Sequence, residues 1–172
     1  RARVREAPEL ERIVVAVDPP VSSGKAADEC GIIVAGRARN GQFYVLADRS
    51  KGEMKPADWA ARVVAAFETY EADRVVAEVN QGGEMVESVL RQVAPNLPVT
   101  KVRASRGKMT RAEPVAALYE QGRVAHCGTF AALEDQMCAY AGHGKSPDRM
   151  DALVWALTDL LKQKTDPTIR RL

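Results

Sequence analysis

The feature that most constrains the fold is an unbroken apolar run at residues 13–17, which one acid and two prolines follow. Four of its five residues are β-branched, which is typical of a strand buried on both faces at the centre of a sheet. Pro19 and Pro20 cannot continue the ladder, so the strand ends at Asp18. A single acid in this place is more often a turn residue or a helix cap. Asp18 therefore indicates a functional site only if other acids join it.

Composition limits the class of protein. The 172 residues, 46% of them hydrophobic, suffice for one core, and we expect a single domain. No apolar run approaches the ~18 residues of a membrane span, and no signal-peptide pattern occurs at the start. The three cysteines show no CxxC spacing, which argues against a structural zinc site and favours a reducing cytosol. The net charge of +2 identifies no partner.

The apolar patterns predict a mixed α/β sheet. Asn40-Gly41 is a strong hairpin-turn signal, so the chain opens with antiparallel strands. Helix and strand patterns then alternate, which implies crossover connections and parallel strands. The predicted strands lie at residues 13–18, 31–36, 42–48, 74–80 and 98–102, and residues 124–125 form a short extended piece. The predicted helices lie at residues 56–71, 84–95, 110–121, 130–140 and 147–164.

The ends of the chain carry no clear pattern. Residues 1–10 are polar and aperiodic, and we interpret them as a linker or ragged end. The domain is expected to cover residues 11–164, and residues 165–172 form a C-terminal tail. Ser23-Gly24-Lys25 lacks the first glycine and the final Ser or Thr of a phosphate-binding P-loop, so we predict no nucleotide site there.

Several acids fall where the predicted elements end or begin. Asp18 ends the first strand, Glu78 lies near the end of the fourth, and Asp148 and Asp151 open the last helix. The i, i+3 spacing puts both aspartates on one helix face, although acids in a first turn also complement the helix dipole. Glu78 and Asp151 have apolar neighbours, where a buried carboxylate costs several kcal/mol unless it is compensated. One shared cluster explains these acids better than separate accidents.

A carboxylate cluster without His or Cys prefers hard cations such as Mg²⁺ or Mn²⁺. Two such ions about 4 Å apart can activate a water and stabilise the leaving oxygen of a phosphodiester. Residues 101–111 carry five bases and no acid, which suits a polyanionic backbone, and a solvated loop explains the charge equally well. These bases are Lys101, Arg103, Arg106, Lys108 and Arg111.

Taken together, these residues resemble a known superfamily. Asp18 after its strand, Glu78 with Asn80 and Gly82-Gly83, and the run DRMDAL at 148–153 resemble the ribonuclease H-like superfamily. The run KMTRAEPVAALYEQGRV at 108–124 is similar to the nuclease domain of large terminase subunits, the DNA-packaging motors of tailed phages. The resemblance covers about residues 11–163, and the combination of motifs is specific although no single motif is.

The resemblance implies a fold and an activity. The fold would be ribonuclease H-like α/β, with a central five-stranded mixed sheet flanked by helices and with Asp18 and Glu78 on adjacent central strands. The activity would be metal-dependent endonucleolytic cutting of double-stranded DNA with little sequence preference. Asp18, Glu78 and Asp151 match the family's catalytic metal ligands for two Mg²⁺ or Mn²⁺ ions, and Asp148 is a fourth candidate. Two loop residues, Asp28 and His143, are auxiliary candidates or plain polar groups.

The resemblance also implies partners. A complete terminase carries an ATPase domain before the nuclease, so we expect this chain to be the C-terminal part of one. The expected partners are double-stranded DNA, the small terminase subunit and the portal, in the bacterial host cytoplasm and without a membrane. The isolated domain is expected to be monomeric. Lys108 and Arg111 are the first DNA-backbone candidates, followed by Arg103, Arg106 and Lys101, and the fifth strand should run parallel to the Glu78 strand.

Two other functions remain open. A Holliday-junction resolvase would share the acids but should act as a dimer on branched DNA, and the terminase-like basic segment argues against it. A non-catalytic DNA-binding or assembly module on a degenerate fold is the second, and the intact acid set argues against that one.

Overall fold

A mixed sheet with helices on both faces forms the molecule. The computed structural model describes residues 3–19, 29–52, 54–79, 83–103, 108–140 and 148–162. The strands lie at Leu10–Asp18 (β1), Glu29–Ala38 (β2), Phe43–Asp48 (β3), Lys51–Gly52 (β4), Arg74–Glu78 (β5), Val99–Val102 (β6) and Val124–His126 (β7). The helices lie at Pro56–Thr69 (α1), Gly83–Val93 (α2), Lys108–Glu120 (α3), Ala131–Ala139 (α4) and Asp148–Lys162 (α5). The predicted tail at 165–172 lies outside the described residues.

The strand order is β6-β5-β1-β2-β3-β7, and β4 pairs with β2. β1, β2 and β3 are antiparallel, whereas β5 runs parallel to β1 and β6 parallel to β5. The predicted five-stranded mixed sheet is therefore confirmed as the core of the sheet. Two short strands extend it within the described residues: β7, which is parallel to β3, and β4. Among the described helices, none is long and apolar enough to span a membrane.

The central strand β1 has helices on both sides. Val14 to Val17 are all fully buried, as the apolar run predicts. Val15 and Val17 belong to the core under α1 and α2, whereas Val14 and Ala16 belong to the core under α3, α4 and α5. Because side chains alternate along a strand, Asp18 follows Val14 and Ala16 onto the α5 face.

The predicted hairpin between β2 and β3 is also confirmed. The amide of Gly41 donates to the carbonyl of Ala38 at 3.0 Å, and the amide of Ala38 donates to the carbonyl of Gln42 at 2.8 Å. Gly41 has a φ of 87°, which a residue with a Cβ rarely adopts. The turn thereby sets the start of the β2–β3 register, in which Arg37 pairs with Phe43.

The N-terminal segment contacts the β7 edge of the sheet. Arg3 pairs with Glu134 through two hydrogen bonds of 2.8 and 3.0 Å, and the amide of Val4 donates to the carbonyl of His126 at 2.9 Å. Nδ1 of the buried His126 lies 2.9 Å from Glu134 Oε2. The hydrogen bond from Arg3, with that from His126, lowers the pKa of Glu134 to about 2. This segment was interpreted from the sequence as a linker or ragged end, and that interpretation remains a prediction.

Helix α5 packs directly on the backbone of β2 at Gly31. A Cβ on Gly31 would overlap the carbonyl oxygen of Asp148 and would lie 2.8 Å from its carbonyl carbon and 3.2 Å from Ala152 Cβ. Only a residue without a side chain therefore fits between β2 and the first turn of α5. Because Gly31 pairs with Asp18, this contact also sets how closely α5 approaches the end of β1.

We predict that Gly31→Ala lowers the free energy of unfolding by about 1–3 kcal/mol, the usual range for overpacking. The added methyl group must push the first turn of α5 away from β2. Thermal unfolding measures the change, and Gly52→Ala is the matched control, because among the described residues its Cβ would meet only Glu29 Cγ, at 3.9 Å. Equal melting temperatures for both variants would show that α5 does not depend on this contact.

Candidate metal centre

The ends of two neighbouring parallel strands carry acids. The register of β1 on β5 pairs Val14 with Arg74 and Val17 with Ala77, so the next residues, Asp18 and Glu78, lie side by side. This confirms the expectation that both acids sit on adjacent central strands. Both side chains are buried, with 9% of Asp18 and 7% of Glu78 exposed.

Helix α5 supplies the third acid. Every residue from Met150 to Leu157 is buried, because α5 lies across β1 and β2 on the face that carries Asp18. Asp151 is only 3% exposed. One carboxylate oxygen each from Asp18, Glu78 and Asp151 lie within 4.8 Å of one another. The cluster that the sequence predicts is thus assembled from residues far apart in the chain.

These three carboxylates fit a hard divalent cation. Two oxygens bound to one ion at about 2.1 Å lie about 3–4 Å apart, so small side-chain movements from the observed spacing complete a ligand set. The donors are all oxygens, which suits Mg²⁺ or Mn²⁺ better than softer metals. Three buried carboxylates this close also repel one another, and a bound cation relieves that repulsion.

Trp155, whose role the sequence analysis did not predict, forms a hydrogen bond with one of the three acids. Trp155 Nε1–H donates to Glu78 Oε1 at 2.6 Å, and both residues are buried. The guanidinium of Arg111 lies over the Trp155 ring, 4.5 Å from its centroid. The available signal was the i, i+4 spacing of Asp151 and Trp155, which puts both on one face of α5.

Asp148 occupies a different place from the three clustered acids. Its Oδ2 accepts a hydrogen bond from the amide of Glu29 at 3.1 Å. Burial and the nearby carboxylates of Asp18 and Asp148 raise the pKa of the Cys30 thiol, so Cys30 remains protonated beside the cluster. Whether Asp148 is a direct metal ligand stays a prediction.

The first turn of α5 is fixed by a second set of polar contacts. Arg149 donates to Asp48 at 2.7 Å and to Glu29 at 3.1 and 3.2 Å. Gln136 of α4 accepts from the amide of Met150 at 3.2 Å and donates to Glu29 at 3.2 Å. These contacts join α5 to β2, β3 and α4, and they thereby help to orient Asp151. No local pattern indicates these contacts, because their partners are distant in the chain.

The basic segment leaves the sheet beside the acids. β6 is parallel to β5 and pairs Val102 with Glu78, as predicted, so the exposed Arg103 follows at the same edge. Lys101 forms an ion pair with Glu87 at 2.9 Å. Arg106 lies outside the described residues, as do Asp28 and His143. Lys108 begins α3, but its side chain also lies outside the description.

Comparisons with known proteins agree with this fold. The family described as Terminase RNaseH-like domain matches residues 15–161. A search of curated proteins finds no match. Among solved structures, the large terminase nuclease of thermophilic phage G20c aligns with a TM-score of 0.65 and 18% identity, over 91% of this chain and 92% of that one. Structures of the same nuclease with bound zinc, cobalt or magnesium align with TM-scores of 0.64 to 0.68, at 16% to 17% identity and over 90% to 92% of each chain.

Two further solved structures, a longer terminase and a resolvase, also align with this chain. The HK97 bacteriophage large terminase aligns with a TM-score of 0.68 and 12% identity, over 92% of this chain but 41% of that longer chain. The yeast mitochondrial Holliday junction resolvase Ydc2 aligns with a TM-score of 0.54 and 12% identity, over 86% of this chain and 77% of that one. At these identities, the likeness shows a shared fold.

We predict that Glu78→Gln stabilises the metal-free protein by about 1 kcal/mol or more, because it removes one of three repelling charges. The amide oxygen of Gln still accepts from Trp155, so that hydrogen bond is kept. Thermal unfolding without metal and with Mn²⁺ tests both states: the wild type should gain stability with the ion and the variant should gain much less. Glu68→Gln, at an exposed position on α1, is the control. Equal gains with Mn²⁺ in all three proteins would exclude Glu78 as a ligand.

Proposed function

Since the chain belongs to the terminase RNaseH-like domain family, we propose that it is the nuclease part of a viral DNA-packaging terminase. It cuts double-stranded DNA with little sequence specificity. The observation that carries this proposal is the buried cluster of Asp18, Glu78 and Asp151, whose carboxylate oxygens lie within 4.8 Å of one another. A degenerate, non-catalytic module would have no reason to keep three buried acids together.

The proposed cofactors are two Mg²⁺ or Mn²⁺ ions. When bound, such ions activate a water and stabilise the leaving oxygen of a phosphodiester. Asp18 and Glu78 would hold them from rigid strand ends and Asp151 from a buried helix, with Asp148 as a fourth candidate. The structures of the G20c nuclease with bound zinc, cobalt or magnesium support a divalent cation as the cofactor.

The DNA would lie over the edge where β5 and β6 end. Arg103 follows Val102, the residue paired with Glu78, and Arg111 is joined to Glu78 through Trp155. The basic segment therefore approaches the acids from both of its ends. We propose that Arg103, Arg106 and Lys108 bind phosphates there, and such contacts carry no base information. Lys101, already paired with Glu87, is the weakest of the five candidates.

The wider assembly is also a proposal. The chain aligns to 41% of the HK97 large terminase, which supports a longer protein that carries an ATPase domain before the nuclease. Its partners would then be the small terminase subunit and the portal, in the host cytoplasm.

We predict that the protein nicks and linearises plasmid DNA with Mg²⁺ or Mn²⁺, and that Ca²⁺ supports little cutting because its looser geometry positions a water poorly. Asp18→Ala, Glu78→Ala and Asp151→Ala should each abolish cleavage, and Asp148→Ala should reduce it in part. Agarose gels of time courses measure the effect. Asp135→Ala, at an exposed position on α4, should cut as the wild type does.

Two outcomes would contradict this scheme. Undiminished cutting in excess EDTA would exclude a metal-dependent mechanism. Faster cutting of a four-way junction than of linear duplex would favour a resolvase. Ydc2 is an enzyme of that class, and this chain shares its fold.

We predict that Arg103→Ala and Arg106→Ala lower the salt dependence of duplex binding when introduced into the cleavage-deficient Asp18→Ala protein. Each lost phosphate contact should reduce the slope of log K against log salt by about 0.9. Fluorescence anisotropy across a salt series measures it. Arg39→Ala removes an exposed charge at the β2–β3 hairpin, at the opposite end of the strands from the acids, and should leave the slope unchanged. An unchanged slope in the two test variants would place the DNA on another surface.

A further inference from the structure

The hydrogen bond between Trp155 and Glu78 joins a buried indole N–H to one of the clustered acids. An indole has one donor and no acceptor, and here that donor is spent on a carboxylate of the acid cluster, at 2.6 Å. Trp155 is 6% exposed and Glu78 is 7% exposed, so the hydrogen bond is shielded from water. A hydrogen bond to an ionised acceptor is shorter and stronger than a neutral one. One oxygen of Glu78 is thereby fixed in direction.

Arg111 contacts the same indole at its ring face. Its guanidinium lies 4.5 Å from the ring centroid, within the range of a cation–π contact. Its Nε and Nη1 are buried, and within the described residues neither has a hydrogen-bond partner. The ring face is thus the contact that the structure shows for these buried atoms. A cation over the ring withdraws electron density from it and strengthens its N–H as a donor.

We propose that Trp155 is a positioning residue for the metal ligand Glu78, and that Arg111 holds the indole in place. The hydrogen bond occupies one side of Oε1 and turns the remaining carboxylate lone pairs toward Asp18 and Asp151. Outer-shell partners of this kind orient ligands, and their loss typically weakens metal affinity or activity about 10–100-fold. This proposal rests on the proposed function, because it takes the cluster to be the nuclease's cation site.

The competing explanation is that Trp155 is a core residue and Arg111 a DNA contact. Both explanations predict that changing either residue reduces cleavage. They differ in what happens without DNA: a core residue or a phosphate contact leaves metal affinity unchanged, whereas a positioning residue does not. The chain contains two tryptophans, and the other, Trp59, is 2% exposed in the core on the opposite face of the sheet. Trp59→Phe is therefore a matched control for Trp155→Phe.

Isothermal titration with Mn²⁺, without DNA, measures the affinity of each variant. Trp155→Phe keeps an aromatic ring but loses the N–H, and we expect its Kd to rise about 10–100-fold, whereas Trp59→Phe binds as the wild type does. Arg111→Met keeps an apolar side chain without the charge and should weaken Mn²⁺ binding in the same direction. If Arg111→Met instead leaves Mn²⁺ binding unchanged or tightens it, and only lowers the salt slope of DNA binding, the role given to Arg111 is wrong.

A second measurement covers the case in which Trp155→Phe unfolds. In Trp59→Phe, Trp155 is the single tryptophan, and its emission should shift on saturation with Mg²⁺, because Glu78 then shares its charge with the ion. Binding by calorimetry without any change in this emission, or equal Mn²⁺ affinity in the two Phe variants, would overturn the proposal. If the wild type neither binds these ions nor cuts DNA, the proposed function itself fails, which is a separate result.

Discussion

The docking of α5 across the sheet is the interaction on which the rest of the structure depends. Three buried carboxylates oppose it, since their oxygens lie within 4.8 Å of one another, and two charges at that spacing repel by about 3 kcal/mol or more at an effective dielectric constant near 20. Against this, Leu153, Leu157 and Leu160 are at most 1% exposed, and each contributes about 1.5–3 kcal/mol by burial. Burial of the apolar face of α5 therefore outweighs the repulsion that Asp151 meets beside the other two acids.

Much of this arrangement could be predicted from local sequence. The β-branched run of β1 fixes a central strand, and the two prolines after it fix where Asp18 stands. The Asn40-Gly41 turn sets the antiparallel pairing, and alternation of helix and strand implies that the Glu78 strand runs parallel. The short strands β4 and β7 were harder, because two or three residues carry too little pattern to separate a strand from a loop.

What could not be predicted depends on contacts between distant residues. The i, i+4 spacing puts Trp155 on the same helix face as Asp151, but no local pattern indicates that its N–H meets Glu78, 77 positions away. In the same way, the sequence around Gly31 predicts an ordinary strand end, and it does not indicate that the carbonyl of Asp148 packs against this glycine. Charge alone predicts Arg111 as a DNA-backbone contact, and it gives no sign that the guanidinium lies over an indole ring. Periodicity identifies faces and ends of elements, but it does not identify which side chains meet.

The contact of Arg3 with Glu134 has a mechanical consequence. It fastens the N-terminal segment to the β7 edge, while the basic residues leave from β6 at the opposite edge. Five strand spacings of about 4.8 Å separate the two edges, or about 24 Å. A pull along the chain at residue 3 would first load an exposed ion pair and a three-residue edge strand. The ion pair and the edge strand would therefore bear such a load before β1, the strand that ends in Asp18, does.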